Sequence, residues 1–261
     1  MSGVINLADS SSYRERIYKN YTQNIQNKPN EFEPGAAGRL ARARDYYLRG
    51  WLPESKQAKI VDLGCGAGEL LYFFRQRAYE NLCGVDVSPQ QVEVATPVVP
   101  SVEMGNAIDF VEGAVGEYDL ITAFDVIEHF QKHEVLRFLD GCQEALKPGG
   151  RLVLQTPNAE TPWGTHHRYN DFTHEVCFNP NALTNLLQLC GLSEVEVRET
   201  GPVPAGYSAK SSVRWMLWQG IRAVLKFYNV VETGNSGSGV FTRVFLASGI
   251  RELPKETVSK Q

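Results

Sequence analysis

The run Ile60-Val61-Asp62-Leu63-Gly64-Cys65-Gly66-Ala67-Gly68 constrains this chain more than any other segment. A short apolar stretch that ends in a glycine cluster reads as a buried strand turning sharply into a helix. Gly64 and Gly66 carry no Cβ, so the backbone there can bend tightly and approach a ligand at contact distance; Gly68 lets the helix over 69–77 pack close to the sheet. A second apolar run, Gly84-Val85-Asp86-Val87-Ser88, places Asp86 18 residues after Gly68. Its carboxylate, at the end of the next parallel strand, would accept hydrogen bonds from both hydroxyls of a ribose. The glycines are spaced G-x-G-x-G, not G-x-G-x-x-G, so the turn is read as seating a nucleoside without a pyrophosphate.

Strand candidates at 58–63, 82–87, 102–105, 119–124 and 151–156 alternate with helical segments, a pattern that calls for parallel pairing with right-handed crossovers. Ligands then gather at the carboxyl ends of the strands. Upstream, 12–27 and 36–50 have helical spacing and are separated by the turn-forming Lys28-Pro29-Asn30 and Pro34-Gly35. The expected organisation is an N-terminal helical cap over 1–57, one large α/β domain over 58–250 and a flexible tail over 251–261.

Composition narrows the function classes. A hydrophobic fraction of 43% over 261 residues suits one well-packed domain. The formal charge of −4, with no long basic run, argues against nucleic acid as a partner. Five cysteines, odd in number and without C-x-x-C spacing, read as reduced thiols of a cytoplasmic protein. The amino terminus lacks the form of a secretory signal, and no transmembrane segment is expected.

In Val61-Asp62-Leu63-Gly64-Cys65-Gly66-Ala67-Gly68 the chain resembles the class I S-adenosylmethionine-dependent methyltransferases, and further motifs follow in register: Asp86, Gly105-Asn106-Ala107, Tyr118-Asp119-Leu120-Ile121, Glu128-His129 and Leu146-Lys147-Pro148-Gly149-Gly150. The resemblance implies a Rossmann-like, doubly wound, mixed seven-stranded sheet, completed by strands at 193–198 and 240–247, the last antiparallel. It implies S-adenosyl-L-methionine as the cofactor. Gly64, Cys65 and Gly66 would line its methionine part, Asp86 would hold the ribose, Val87 would cover the adenine, and Asn106 with Ala107 would meet the adenine edge. Asp62 and Phe124 complete the cofactor-side set. Asn106 departs from the family, which commonly has Asp there.

Methyl transfer from a sulfonium is an in-line displacement whose leaving group needs no proton, so the protein supplies alignment and, for a weakly acidic hydroxyl, a general base. Two regions offer one. Glu128-His129 follows the fourth strand, where it would either take a proton or stack on the cofactor and cap the next helix. The second lies just beyond the fifth strand, in the run from Trp163 to Glu175, with His166, His167, Arg168, Tyr169, Asp171, Phe172 and His174. Such a loop on a rigid sheet usually carries binding groups. His174 paired with Asp171 or Glu175 is the first choice of base, with His129, His166 and His167 as alternatives. No metal is assigned, because the spacing of His166, His167, Asp171 and His174 matches no zinc pattern.

The 171–175 motif and the late aromatic segment look like bacterial methyltransferases of polysaccharide and cell-surface glycan assembly. The function expected is therefore O-methylation of a sugar or glycan hydroxyl, with Trp163 and Tyr169 facing the ring and Arg168 gripping its hydroxyls; a phenol, quinone precursor or carboxylate is the alternative small-molecule acceptor. A helical insertion over 202–239 contains the aromatic stretch 211–231. It is read as packed on the domain or on a second subunit, which would make a homodimer, ahead of a substrate lid or a membrane-surface helix.

Overall fold

In the computed structural model the described residues are Ile17, 31–204 and 208–253. The expected helix at 12–27 and most of the expected tail therefore lie outside the description. The elements, in chain order, are α1 (Pro34–Tyr47), β1 (Ile60–Leu63), α2 (Glu69–Arg75), β2 (Leu82–Asp86), α3 (Pro89–Ala95), β3 (Val102–Met104), α4 (Ala107–Glu112) and β4 (Tyr118–Phe124). After a single 3-10 turn at Ile127–His129 come α5 (Lys132–Ala145), β5 (Leu146–Pro157), α6 (Gly164–Tyr169), α7 (Pro180–Leu189), β6 (Leu192–Glu199), α8 (Ala209–Thr233) and β7 (Val244–Arg251).

The seven strands form one sheet in the order β3-β2-β1-β4-β5-β7-β6. The pairs from β3 to β5 are parallel, and β7 is antiparallel to both of its neighbours. The strand order reverses between β1 and β4, and a cleft for a ligand opens at that switch. Adjacent residues of a strand point to opposite faces, and the core divides accordingly. Val61, Ile121, Leu152 and Phe245 join α4, α5 and α7, whereas Ile60, Leu120, Val153 and Leu246 join α2, α3 and the end of α1. Because helices cover both faces, the central strands are apolar throughout instead of alternating.

Local sequence explains most boundaries. Pro34, expected in a turn, instead opens α1 at its first turn, where a missing N–H costs nothing. Ser88, Asn106 and Asn179 cap α3, α4 and α7 by accepting backbone N–H groups. The last strand starts at Val244, four residues later than the expected 240. Gly237 and Gly239 have left-handed backbones, and the Asn158 amide donates to the carbonyls of Val240 (2.9 Å) and Thr242 (3.0 Å), so 240–243 is held by a side chain before the ladder begins. The cap is tied to the far end of the sheet: the Arg198 guanidinium donates to the Tyr47 carbonyl at 3.0 Å, and the Tyr47 hydroxyl donates to the Gly201 carbonyl at 2.6 Å.

Candidate active site

The β1–α2 turn is built on glycines that no other residue can replace cheaply. Gly64 has φ +68°, and a Cβ there would lie 2.3 Å from Val126 Cγ2. Gly68 has φ +84°, and a Cβ would sit 3.2 Å from that of Ala95, so its absence seats α3 against the turn. With the backbone in this shape, the Gly66 N–H donates to Asp86 Oδ2 at 2.8 Å and the Ser88 N–H donates to Asp86 Oδ1 at 2.8 Å. The carboxylate is thus pinned at the carboxyl end of β2, between the two loops that would flank a ribose.

A cleft of about 430 Å³ opens over this turn. Its lining includes Asp62, Gly64, Cys65, Gly66 and Phe124 of the expected cofactor set, and adds Arg44 from α1, Glu69, Asp125 and Gln155. Asp86, Val87, Asn106 and Ala107 of the expected set lie outside this lining, Asp86 adjoining it through its bond to Gly66. Val87 is 43% exposed beyond Asp86, and the Asn106 side chain accepts from the Ile108 N–H at 2.8 Å as the cap of α4.

The floor of the cleft is electrostatically prepared. Asp62 is buried, accepts from the Thr122 hydroxyl at 2.7 Å, and has its pKa pushed up to about 7, chiefly by burial; that hydrogen bond and the Arg44 charge oppose the shift and Asp86 adds to it. Arg44 donates to the Glu69 carbonyl at 2.8 Å, and its side chain is only 13% exposed. Sequence reasoning missed Arg44, because nothing in the helical spacing of α1 says which of its arginines turns inward. Burial holds the Cys65 thiol well above its ordinary value, so it packs as a neutral group.

The second half of the site lies past β4. Asp125 adopts φ +56°, unusual for a residue with a side chain, and is fixed by its N–H donating to the Gln155 carbonyl at 2.9 Å and by the Gln155 amide donating to Asp125 Oδ2 at 3.0 Å. Glu128 is 1% exposed; one carboxyl oxygen accepts from Thr156 at 3.0 Å, and the other, Oε1, has no hydrogen-bond partner among the described residues. Burial, and next the Asp125 charge, holds the Glu128 carboxyl well above the usual carboxylate range. The Glu128 carbonyl accepts the N–H groups of Glu175 (2.8 Å) and Val176 (3.1 Å), which docks the 171–176 loop on the end of β4. The following helix is capped locally instead, with the Gln131 N–H donating to the Glu134 carboxylate at 2.7 Å.

This docking brings together histidines 45 positions apart. Thr173 Oγ1 lies 2.8 Å from His129 Nδ1 and donates to Asp171 Oδ1 at 2.6 Å. The hydroxyl has one hydrogen, given to the carboxylate, so it accepts from a protonated Nδ1, which makes Nε2 the unprotonated nitrogen of a neutral His129. His174 Nδ1 faces the His167 carbonyl at 3.0 Å and must donate to it, and its ring meets that of His129 edge to face at 4.9 Å. Glu128, His129 and His174 each bring one potential ligand atom within 4.8 Å of the others. Nitrogen and carboxylate donors of this kind suit a divalent transition metal as well as a proton. The expected residues His166 and His167 pack ring against ring on α6, at 5.3 Å; burial and the nearby Arg243 lower the pKa of His167, which keeps it neutral. Arg168, expected to grip a sugar, donates to the Glu175 carbonyl at 2.6 Å and to the His174 carbonyl, bracing the loop.

Comparison with known proteins agrees with this geometry. A family described as a methyltransferase domain matches residues 35–197. The ubiquinone biosynthesis O-methyltransferase of Xanthomonas axonopodis pv. citri is 29% identical over 169 residues, covering 55% of this chain and 66% of the relative. That of Cereibacter sphaeroides is 28% identical over 180 residues, covering 60% and 68%. The chain spans 56% to 66% of the length of the first few such relatives. Among solved structures, a S-adenosylmethionine-dependent methyltransferase from Archaeoglobus fulgidus superposes with a TM-score of 0.59 at 16% identity, covering 90% of this chain and 99% of that one. Haemonchus contortus phosphoethanolamine N-methyltransferase 2, solved with S-adenosylmethionine, gives 0.60 at 14% identity, covering 90% and 60%. S-adenosylmethionine fits the donor set at this turn: the buried Asp62 and the largely enclosed Arg44 line the cleft, and Gly66, also in the lining, pins the neighbouring Asp86 carboxylate by its N–H. The chain belongs to the methyltransferase-domain family of S-adenosylmethionine-dependent enzymes.

Proposed function

We propose that this chain transfers a methyl group to a hydroxyl oxygen of a small organic acceptor, with His129 as the general base. The observation that carries this reading is the series Asp171, Thr173, His129, which orients the imidazole and sets its tautomer with Nδ1 protonated and Nε2 basic. Bound S-adenosylmethionine supplies an electrophilic methyl whose departure from sulfur needs no proton. Asp86 would hold the ribose hydroxyls, Asp62 the ammonium and Arg44 the carboxylate of the methionine end, since both line the same cleft. His129 would receive the acceptor proton, and the buried Glu128 carboxyl lies within reach of the imidazolium that forms. His174, with its own Nδ1 committed to His167, is the alternative base.

For the acceptor, the names of the relatives support a phenolic ring hydroxyl. A sugar hydroxyl is the second reading, supported by Trp163, Tyr169 and Phe172, which are 61%, 75% and 82% exposed at the two ends of α6 and just beyond it and offer flat apolar faces. Incubation with methyl-labelled cofactor and panels of catechols, nucleotide-sugars and lipid-linked glycans separates the two. Label on phenolic oxygen supports the first reading and label on sugar oxygen the second. Transfer to amines alone overturns both.

A further inference from the structure

The 25-residue helix α8 uses one face to hold the domain and leaves the other uncovered by the described residues. Inward, the Trp218 indole donates to Glu199 at 3.1 Å, Arg222 pairs with Glu199 at 3.0 Å and donates to the Gly239 carbonyl at 3.0 Å, and Ser211 donates to the Val203 carbonyl at 2.8 Å. Outward lie Val213, Leu217, Gly220, Val224, Phe227 and Val231, at spacings of four, three, four, three and four. That is the heptad seam of a helix pair. Leu217, Val224, Phe227 and Val231 are 64%, 66%, 69% and 69% exposed, and no charged residue interrupts the outer face between Arg214 and Glu232. Monomers rarely leave so long an apolar face in water.

We propose that a second copy of this chain covers it, the two α8 helices packing antiparallel about a twofold axis level with position 222. The sequence is self-complementary about that point: Val213 meets the partner's Val231, Leu217 meets the partner's Phe227, and Gly220 meets the partner's Val224, so the smallest residue lies next to the crossing and allows close approach. Charge selects the direction. Lys210, Arg214 and Glu232 are exposed and lie along one flank of the outer face. An antiparallel pair sets Glu232 across from the turn bearing the partner's Lys210 and the partner's Arg214, whereas a parallel pair sets this charged flank against the opposite, uncharged one.

The register makes a rescue experiment possible with the full chain. Wild type should sediment at twice the mass of one chain. Leu217→Glu and Phe227→Lys, each on an exposed position, should each halve that mass while leaving the melting transition in place, and the double variant should regain the doubled mass because each new glutamate faces the partner's new lysine. A wild type of single-chain mass, single variants that stay paired, or a double variant that stays single each overturns the proposal. Wild type that is a single chain in buffer but co-sediments with anionic phospholipid vesicles overturns it in favour of a membrane.

Discussion

The two halves of the site are built in opposite ways. On the cofactor side, apart from Arg44 of α1, the groups that matter are backbone atoms and the carboxylates of Asp62 and Asp86 within a contiguous strand-turn-helix-strand unit, from Ile60 to Ser88, and the turn shape follows from glycines at fixed positions. On the acceptor side, His129 comes from a 3-10 turn after β4, while Asp171, Thr173 and His174 come from a loop beyond α6, joined only when the Glu128 carbonyl receives the N–H groups of Glu175 and Val176. The first half is rigid because it is local. The second is assembled, so its protonation chemistry depends on docking between distant segments.

This contrast predicts separable defects. The largest is expected at His129: replacement by Gln should lower turnover by about 10²- to 10⁴-fold, as for loss of a general base, with cofactor affinity unchanged in titration calorimetry. If His174→Gln gives the larger loss, the base is His174 and the relay through Thr173 is structural. Next, Asp86→Ala should weaken cofactor binding by about 1.5 to 3 kcal/mol, because it removes a charged acceptor. It should leave the pH profile of turnover in shape. Unchanged affinity would detach Asp86 from the ribose.

A third test uses Asp62, whose folded-state pKa of about 7 lies above the value of about 3.9 of an unfolded chain. The sign is that of a raised group: its contribution to cofactor-free stability is complete below pH 4 and is lost as pH rises through 7. A ligand ammonium favours the ionised form, so cofactor affinity should fall by up to about tenfold per unit as pH drops below 7, with proton release on binding at pH 6. Asp62→Asn should flatten that dependence, and a wild type with flat affinity from pH 5 to 8 would break the assignment. The smallest effect is expected for Thr173→Val, which cuts the link between Asp171 and His129 without removing either; turnover should fall about fivefold, the worth of one hydrogen bond, with a shifted pH profile.

How much was legible depended on distance along the chain. The parallel strands β1 to β4 were found within one or two residues, because each is an apolar run bounded by turn residues. The last strand was placed early, since Val240 and Phe241 look like strand residues and only the Asn158 side chain, 82 positions from Val240, takes their segment out of the ladder. The apolar α8 was read from spacing as helix over 211–231 and runs over Ala209–Thr233. Among the described residues, no helix is long and apolar enough to cross a membrane.

The histidine-rich loop stood out by composition, but composition cannot say which imidazole a carboxylate will serve. Asp171 was paired with His174 by proximity in sequence, and the fold instead carries its hydrogen bond through Thr173 to His129. By itself, then, the sequence determined the doubly wound sheet, the glycine turn and the placing of Asp86 at the end of β2, because these follow from backbone conformation and strand period acting within short segments. Only tertiary structure decided that Arg44 enters the cleft, that Glu128 is buried beside the histidines and that Thr173 joins His129 to Asp171. Those facts depend on which side chains long-range packing brings within hydrogen-bond reach, and that information lies in no single segment.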